Sequence, residues 1–266
     1  MRRIVSASLS ISVTEPAQID LQIAVADRAL VKSESLLVST AGRSIDPVEL
    51  EIAGSGRIHR FTAPPGELEV RYLAAVDGRS GGQPATSADE VVFVRPSRYA
   101  ESDRLFAVAQ AEFQGVDDPR DLLEAVSSWV GGHLSYIPGS SRPTDGAVST
   151  MLQRSGVCRD YAHLVVALLR ARSVPARVAA VYAPGLDPMD FHAVAEAAID
   201  GHWYAADATL LAPRSSLLRI STGRDAADTA FLSAYNGVLE LRDIEVTATT
   251  EGSLPTDDVR ELVELG

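Results

Sequence analysis

Only one cysteine, Cys158, occurs in 266 residues. That excludes an intramolecular disulfide and fits a reducing compartment. Lysine is equally scarce: of 24 cationic residues only Lys32 is a lysine. Asp and Glu number 36 and leave a net charge of −12, so the basic footprint of a nucleic-acid binder is missing and no nucleic-acid partner is expected. Long apolar runs are absent as well. No window approaches the roughly 18 residues of a membrane span, and no membrane partner is expected. The amino terminus starts basic, but serines then interrupt it every second residue, unlike the unbroken apolar stretch of a secretion signal. A cytoplasmic location is the expectation. No C-x-x-C, H-E-x-x-H or EF-hand spacing occurs. A metal set drawn from Cys158, His163, His192 and Asp207 has little support, because Cys158 and His163 stand about 140° apart on a helix. No metal or cofactor is expected.

What is present divides into two textures. Residues 1–97 read as a β-rich domain. "RIVSASLSISV" and "AQIDLQIAVA" alternate at period two, the second placing Ile19, Leu21, Ile23 and Val25 on one face. "LLVSTAG", "PVELEIAGSGRIHRFTAPPGELEVRYLAAV" and "DEVVFVRP" continue the series between Gly-, Pro- and Ser-rich breaks, a pattern that predicts an antiparallel sandwich. This half clusters no catalytic residue types. Residues 98–237 turn helical. Ser102 is a candidate N-cap, and Leu122, Leu123, Val126, Trp129 and Val130 recur at helical spacing before a Gly131-Gly132 terminator. Residues 238–266 offer one or two edge strands and an acidic tail.

The cysteine opens a run without Gly or Pro, "CRDYAHLVVALLRAR". Ser155 is the candidate N-cap, which puts Cys158 in the first turn. There the free amides and the helix dipole favour a thiolate and can hold an oxyanion. Its plain reading is one more small apolar side chain in a helix. Downstream, "DFHAVAEAAIDGHWYAADAT" contains Asp200-Gly201, a type I′ hairpin signal. A two-residue turn pairs positions whose numbers sum to 401. Ile199 then faces His202, Ala197 faces Tyr204 and Val194 faces Asp207. His192 and Asp207 become diagonal neighbours on one face, with His202 on the other. A slip of one residue reverses this assignment. Nucleophile, base and orienting carboxylate are thereby all available, the triad arrangement in its cysteine form.

"GVCRDYAHL", "DFHAVAEA" and "WYAADAT", in that order, resemble the transglutaminase-like superfamily, specifically its bacterial transglutaminase-like cysteine proteases. The resemblance covers roughly residues 100–237, including "RPSRYAESDRL" and "GRDAADTAF", and the β-rich domain usually found beside such a core matches residues 1–95. It implies an α+β, papain-like core in which a helix packs on an antiparallel sheet. It also implies Cys158 as nucleophile, His192 as base and Asp207 as orienter. Val194 and Ala208 depart from the family's frequent aromatic and proline at those positions, which bears on pocket shape. Gln153 and Tyr136 are candidates for a side-chain oxyanion donor, and Arg159 and Asp160 for bracing the helix start or lining the cleft. The expected activity is acyl transfer on peptide or protein amides, with hydrolysis favoured. Transamidation by the same triad, or a non-catalytic scaffold on the same fold, are the alternatives. Oligomeric state is not legible.

Overall fold

Period-two patterning builds the first part of the computed structural model, which describes residues 1–52 and 54–266. Its strands are β1 (Arg2–Glu15), β2 (Ala17–Leu21), β3 (Val31–Thr40), β4 (Arg43–Ile45), β5 (Val48–Ile52), β6 (Gly56–Ala63) and β7 (Gly66–Asp77). In β1, Val5, Ala7, Leu9, Ile11 and Val13 are buried, while the alternating serines take the opposite face. The helices α1 (Ser87–Val92), α2 (Ser102–Glu112) and α3 (Pro119–His133) follow. Next come β8 (Ser135–Tyr136), α4 (Ala147–Gln153), β9 (Ser155–Gly156) and α5 (Cys158–Ala171). The chain ends in β10 (Ala176–Tyr182), β11 (Phe191–Ile199), β12 (His202–Ala206), β13 (Leu218–Gly223), β14 (Leu232–Tyr235) and β15 (Val238–Thr250).

The fold is α+β. One sheet has the order β15-β1-β7-β3-β4; the other runs β12-β11-β10-β13-β6-β2-β14, with β5 added on β6. Leu9, Ile11, Ile19, Leu68 and Tyr72 fill the core between them, joined by Tyr182, Leu218 and Ile220 from the later part of the chain. α5 packs on the second sheet through a core that includes Leu164, Val165, Leu168, Ala195 and Ala197. Removing such side chains from water stabilises the fold by about 25 cal/mol per Å². Among the described residues no helix is long and apolar enough to cross a membrane.

Backbone pairing crosses the expected boundaries at 97/98 and 237/238. Ser221 of β13 pairs with Gly56 of β6, and a Cβ at Gly56 would stand 2.5 Å from the Ile220 carbonyl. β15 lines the length of β1 as an edge of the N-terminal sheet. Residues beyond β15 return to the second sheet: Ala205 donates to the Val263 carbonyl (2.8 Å), Arg214 grips Asp257 (Nη2–Oδ1 2.9 Å), and Leu265 is buried against Val181, Val194 and Ala205.

Four local expectations are corrected. "DEVVFVRP" is not a strand; its start belongs to α1, where Thr86 and Asp89 cap each other reciprocally. β2 stops at Leu21, short of the ten-residue strand expected. Gly131 and Gly132 lie inside α3, which closes at His133; a Cβ on Gly131 would meet the Ala208 carbonyl at 2.7 Å, so the glycine serves close approach there. Ser102 is the first residue of α2, with Glu101 at the N-cap.

Candidate active site

The first turn of α5 differs from the expectation in one respect. Ser155 is not its N-cap, because Ser155 and Gly156 are extended and bridge in parallel to Ser135 and Tyr136. Val157 occupies the cap position, which makes Cys158 the first helical residue. A valine side chain cannot accept a hydrogen bond. Asp160 instead reaches back from the first turn, and its Oδ2 accepts the Val157 N–H at 2.8 Å. Cys158 is partly exposed.

The hairpin has the expected register: Ile199 faces His202, Ala197 faces Tyr204 and Ala195 faces Ala206. Asp200 and Gly201 both have positive φ, 50° and 79°, as a type I′ turn requires. The diagonal contact follows. His192 Nε2 and Asp207 Oδ2 are 2.8 Å apart, with the His192 side chain fully buried and that of Asp207 2% exposed. Asp207 Oδ1 is held in turn by the Thr209 amide (2.9 Å) and hydroxyl (2.6 Å). Sequence reasoning missed this orienting role of Thr209.

Burial resists charge on the His192 ring, but the Asp207 charge and hydrogen bond, reinforced by the Cys158 thiol, push it up to about 10. Burial likewise resists ionisation of Asp207, yet His192 and Thr209 hold its carboxyl below the ordinary range. Nδ1, the remaining ring nitrogen, has no hydrogen-bond partner among the described residues.

Tyr136 stands at the Cys158 amide. Burial, followed by the neighbouring thiol, pushes its hydroxyl up to about 12 against the pull of the Cys158 N–H. Gln153, the other sequence candidate for an oxyanion donor, closes α4 with its side chain exposed. Arg159 and Asp160 brace: Ser141 donates to Asp160 Oδ2 (2.5 Å), and Arg159 Nη2 reaches Ser141 Oγ (3.0 Å) and the Arg142 carbonyl (3.3 Å).

The other histidines stand elsewhere. His163 is fully buried, accepts the Ala226 N–H at Nε2 (3.0 Å) and stacks on Tyr99; burial pushes it down to about 3, so the ring is neutral. His202 faces Glu264 at 3.2 Å. His59 lies 3.2 Å from Glu49.

A partly open cysteine at a helix start and a sealed histidine–carboxylate pair on a hairpin can supply a nucleophile, a base and an orienting carboxylate for thiol acyl transfer. The comparisons agree with that class. The model of the transglutaminase-like superfamily matches residues 107–208, a span that contains Cys158, His192 and Asp207. The solved structure of a putative cysteine protease from Cytophaga hutchinsonii is 31% identical, with a TM-score of 0.87 over 98% of this chain and 96% of that one. The chain belongs to the transglutaminase-like superfamily, and the likeness takes in both sheets. An uncharacterized protein of Mycobacterium leprae (strain TN), ML0607, is 27% identical over 158 residues. That match covers 56% of this chain and spans 56% of the length of the relative.

Proposed function

We propose that the protein hydrolyses amide bonds in peptides or proteins through a Cys158–His192–Asp207 triad. One observation carries the reading. His192 is clamped through Nε2 to a buried carboxylate, which leaves its other nitrogen for the thiol of a partly exposed cysteine at a helix start. The Cys158 proton passes to His192, giving a thiolate–imidazolium pair favoured by Asp207 and by the helix end. Sulfur attacks the amide carbonyl, and the developing oxyanion takes the Cys158 N–H, with the Tyr136 hydroxyl donating beside it. His192 gives its proton to the leaving amine as the C–N bond breaks, and a thioester remains. Water, deprotonated by His192, cleaves the thioester and releases the carboxylic acid.

The similarity to a cysteine protease across nearly the whole of both chains supports water as the second acceptor. Transamidation uses the same thioester with an amine in place of water. A thiolate nucleophile suits a reducing, cytoplasmic compartment. The test is a proteome-derived peptide library offered together with dansylcadaverine. New peptide termini that vanish in Cys158→Ala are expected. Dansyl incorporation at glutamine without new termini would replace hydrolysis by transamidation. Neither product, with a thiol that iodoacetamide alkylates no faster than glutathione, would leave the scaffold reading.

A further inference from the structure

Asp160 is fully buried in the first turn of α5, and its contacts run in two directions. Oδ2 accepts both the Val157 N–H (2.8 Å) and the Ser141 hydroxyl (2.5 Å). Oδ1 has no hydrogen-bond partner among the described residues, its cationic neighbour being Arg159 at 3.7 Å. The carboxylate can fold back this far because residue 156 is glycine: a Cβ there would stand 2.6 Å from Asp160 Cβ.

Asp160, third in the helix, takes the N-cap amide, the backward arm of a capping box whose forward arm a valine cannot supply. The Asp160 and Tyr161 amides turn to the Val157 carbonyl (2.9 and 3.2 Å). The Cys158 and Arg159 amides have no backbone partner among the described residues. The second arm, through Ser141, ties down the loop that follows Tyr136. The start of that loop is pinned independently by Ile137 N–H on the Gly156 carbonyl (3.0 Å). One side chain thus ties the loop that follows Tyr136 to the start of α5, beside the Cys158 N–H and the space where the proposed oxyanion would form.

We propose that Asp160 is a positioning residue for that space, acting through the Val157 amide and Ser141 and not through the sulfur. The inference rests on Cys158 being the nucleophile, and its test separates the two. Acylation of Cys158 by 4-nitrophenyl acetate develops an oxyanion; alkylation by iodoacetamide develops none. Asp160→Ala is expected to slow acylation by about 10²-fold, the usual effect of losing one oxyanion donor. Alkylation should stay within about three-fold. Asp160→Asn keeps an oxygen for both donors and is expected to restore most of the acylation rate. Ser141→Ala, which leaves the Val157 contact in place, should slow acylation alone by a smaller factor. If Asp160→Ala does not fold, the Asn and Ser141 variants carry the comparison.

Acylation and alkylation falling in parallel, or neither falling, would overturn the proposal while the nucleophile reading stands. A wild-type thiol no more reactive than glutathione at pH 6, and indifferent to His192→Ala, would remove the nucleophile reading and this proposal with it.

Discussion

Replacing Asp207 by Asn removes the charge that keeps His192 protonated, and the geometry sets the size of the effect. In the wild-type protein, burial favours the neutral ring. The carboxylate 2.8 Å away overrides it and pushes His192 up to about 10 from the ordinary 6.5. That gap corresponds to about 5 kcal/mol in favour of the charged ring. Asn has the same shape and keeps a hydrogen bond without the charge, so burial prevails and the ring is neutral at pH 7. The proposed Cys158 thiolate then loses its counter-ion. Iodoacetamide reads this directly, because it consumes thiolate. At pH 6 a simple thiol of pKa about 8.5 is only about 0.3% ionised. The ion pair proposed for the wild type should therefore be alkylated about 10²-fold faster than the variant. The two rates should converge above pH 9. A folded Asp207→Asn protein alkylated at pH 6 at the wild-type rate would refute the reasoning.

Three further outcomes are expected. His192 is raised in the fold, so its contribution to stability is complete below pH 6.5 and is lost as pH climbs through about 10; Asp207, depressed in the fold, contributes above the ordinary carboxylate range and loses this only in acid. Urea midpoints of the wild type should fall between pH 6.5 and 10, those of His192→Gln should not, and parallel curves would disprove the linkage. Gly131→Ala places a methyl group 2.7 Å from the Ala208 carbonyl, a backbone atom that cannot rotate away. A loss of about 1–3 kcal/mol in unfolding free energy is expected, with a lower kcat because Asp207 is displaced, and an unchanged Tm would contradict it. Glu196, fully buried between Arg177 (2.8 Å) and Arg219 (2.5 Å), is the counter-charge that two buried guanidinium groups share. Glu196→Gln is expected to cost about 3–5 kcal/mol, measured by denaturant unfolding; a cost under about 1 kcal/mol would show the ion pairs to be dispensable.

The candidate site was legible where local chemistry decides the geometry. Asp200-Gly201 admits one tight turn, that turn sets the register, and the register brings His192 to Asp207 while sending His202 to the other face. The start of α5 was legible to within a few residues but its cap was not, because Ser155 is held extended by a bridge to Ser135, twenty positions earlier. Asp160 was a candidate brace on chemistry alone. Its hold on Val157 depends on a backward reach that Gly156 permits, and with valine at the cap position only the acidic half of a capping box was there to mark it. α1 was mistaken for a strand because six residues are too few to separate the two periodicities. Thr86 and Asp89, spaced as a capping box, were the available signal. The joining of the two halves into one sheet rests on Gly56 meeting Ser221, a pairing across 165 positions with no counterpart in local composition.

β1 is flanked by β7 on one side and β15 on the other, and this governs the order in which the chain can complete itself. During synthesis β7 emerges soon after β1 and can cover one edge. The other edge waits for residues 238–250. At ordinary elongation speeds of about 5–20 residues per second, the delay is roughly 10–45 s. Through that interval a fourteen-residue ribbon offers unsatisfied amides to any passing strand, and its alternate serines keep one of its two surfaces wettable meanwhile.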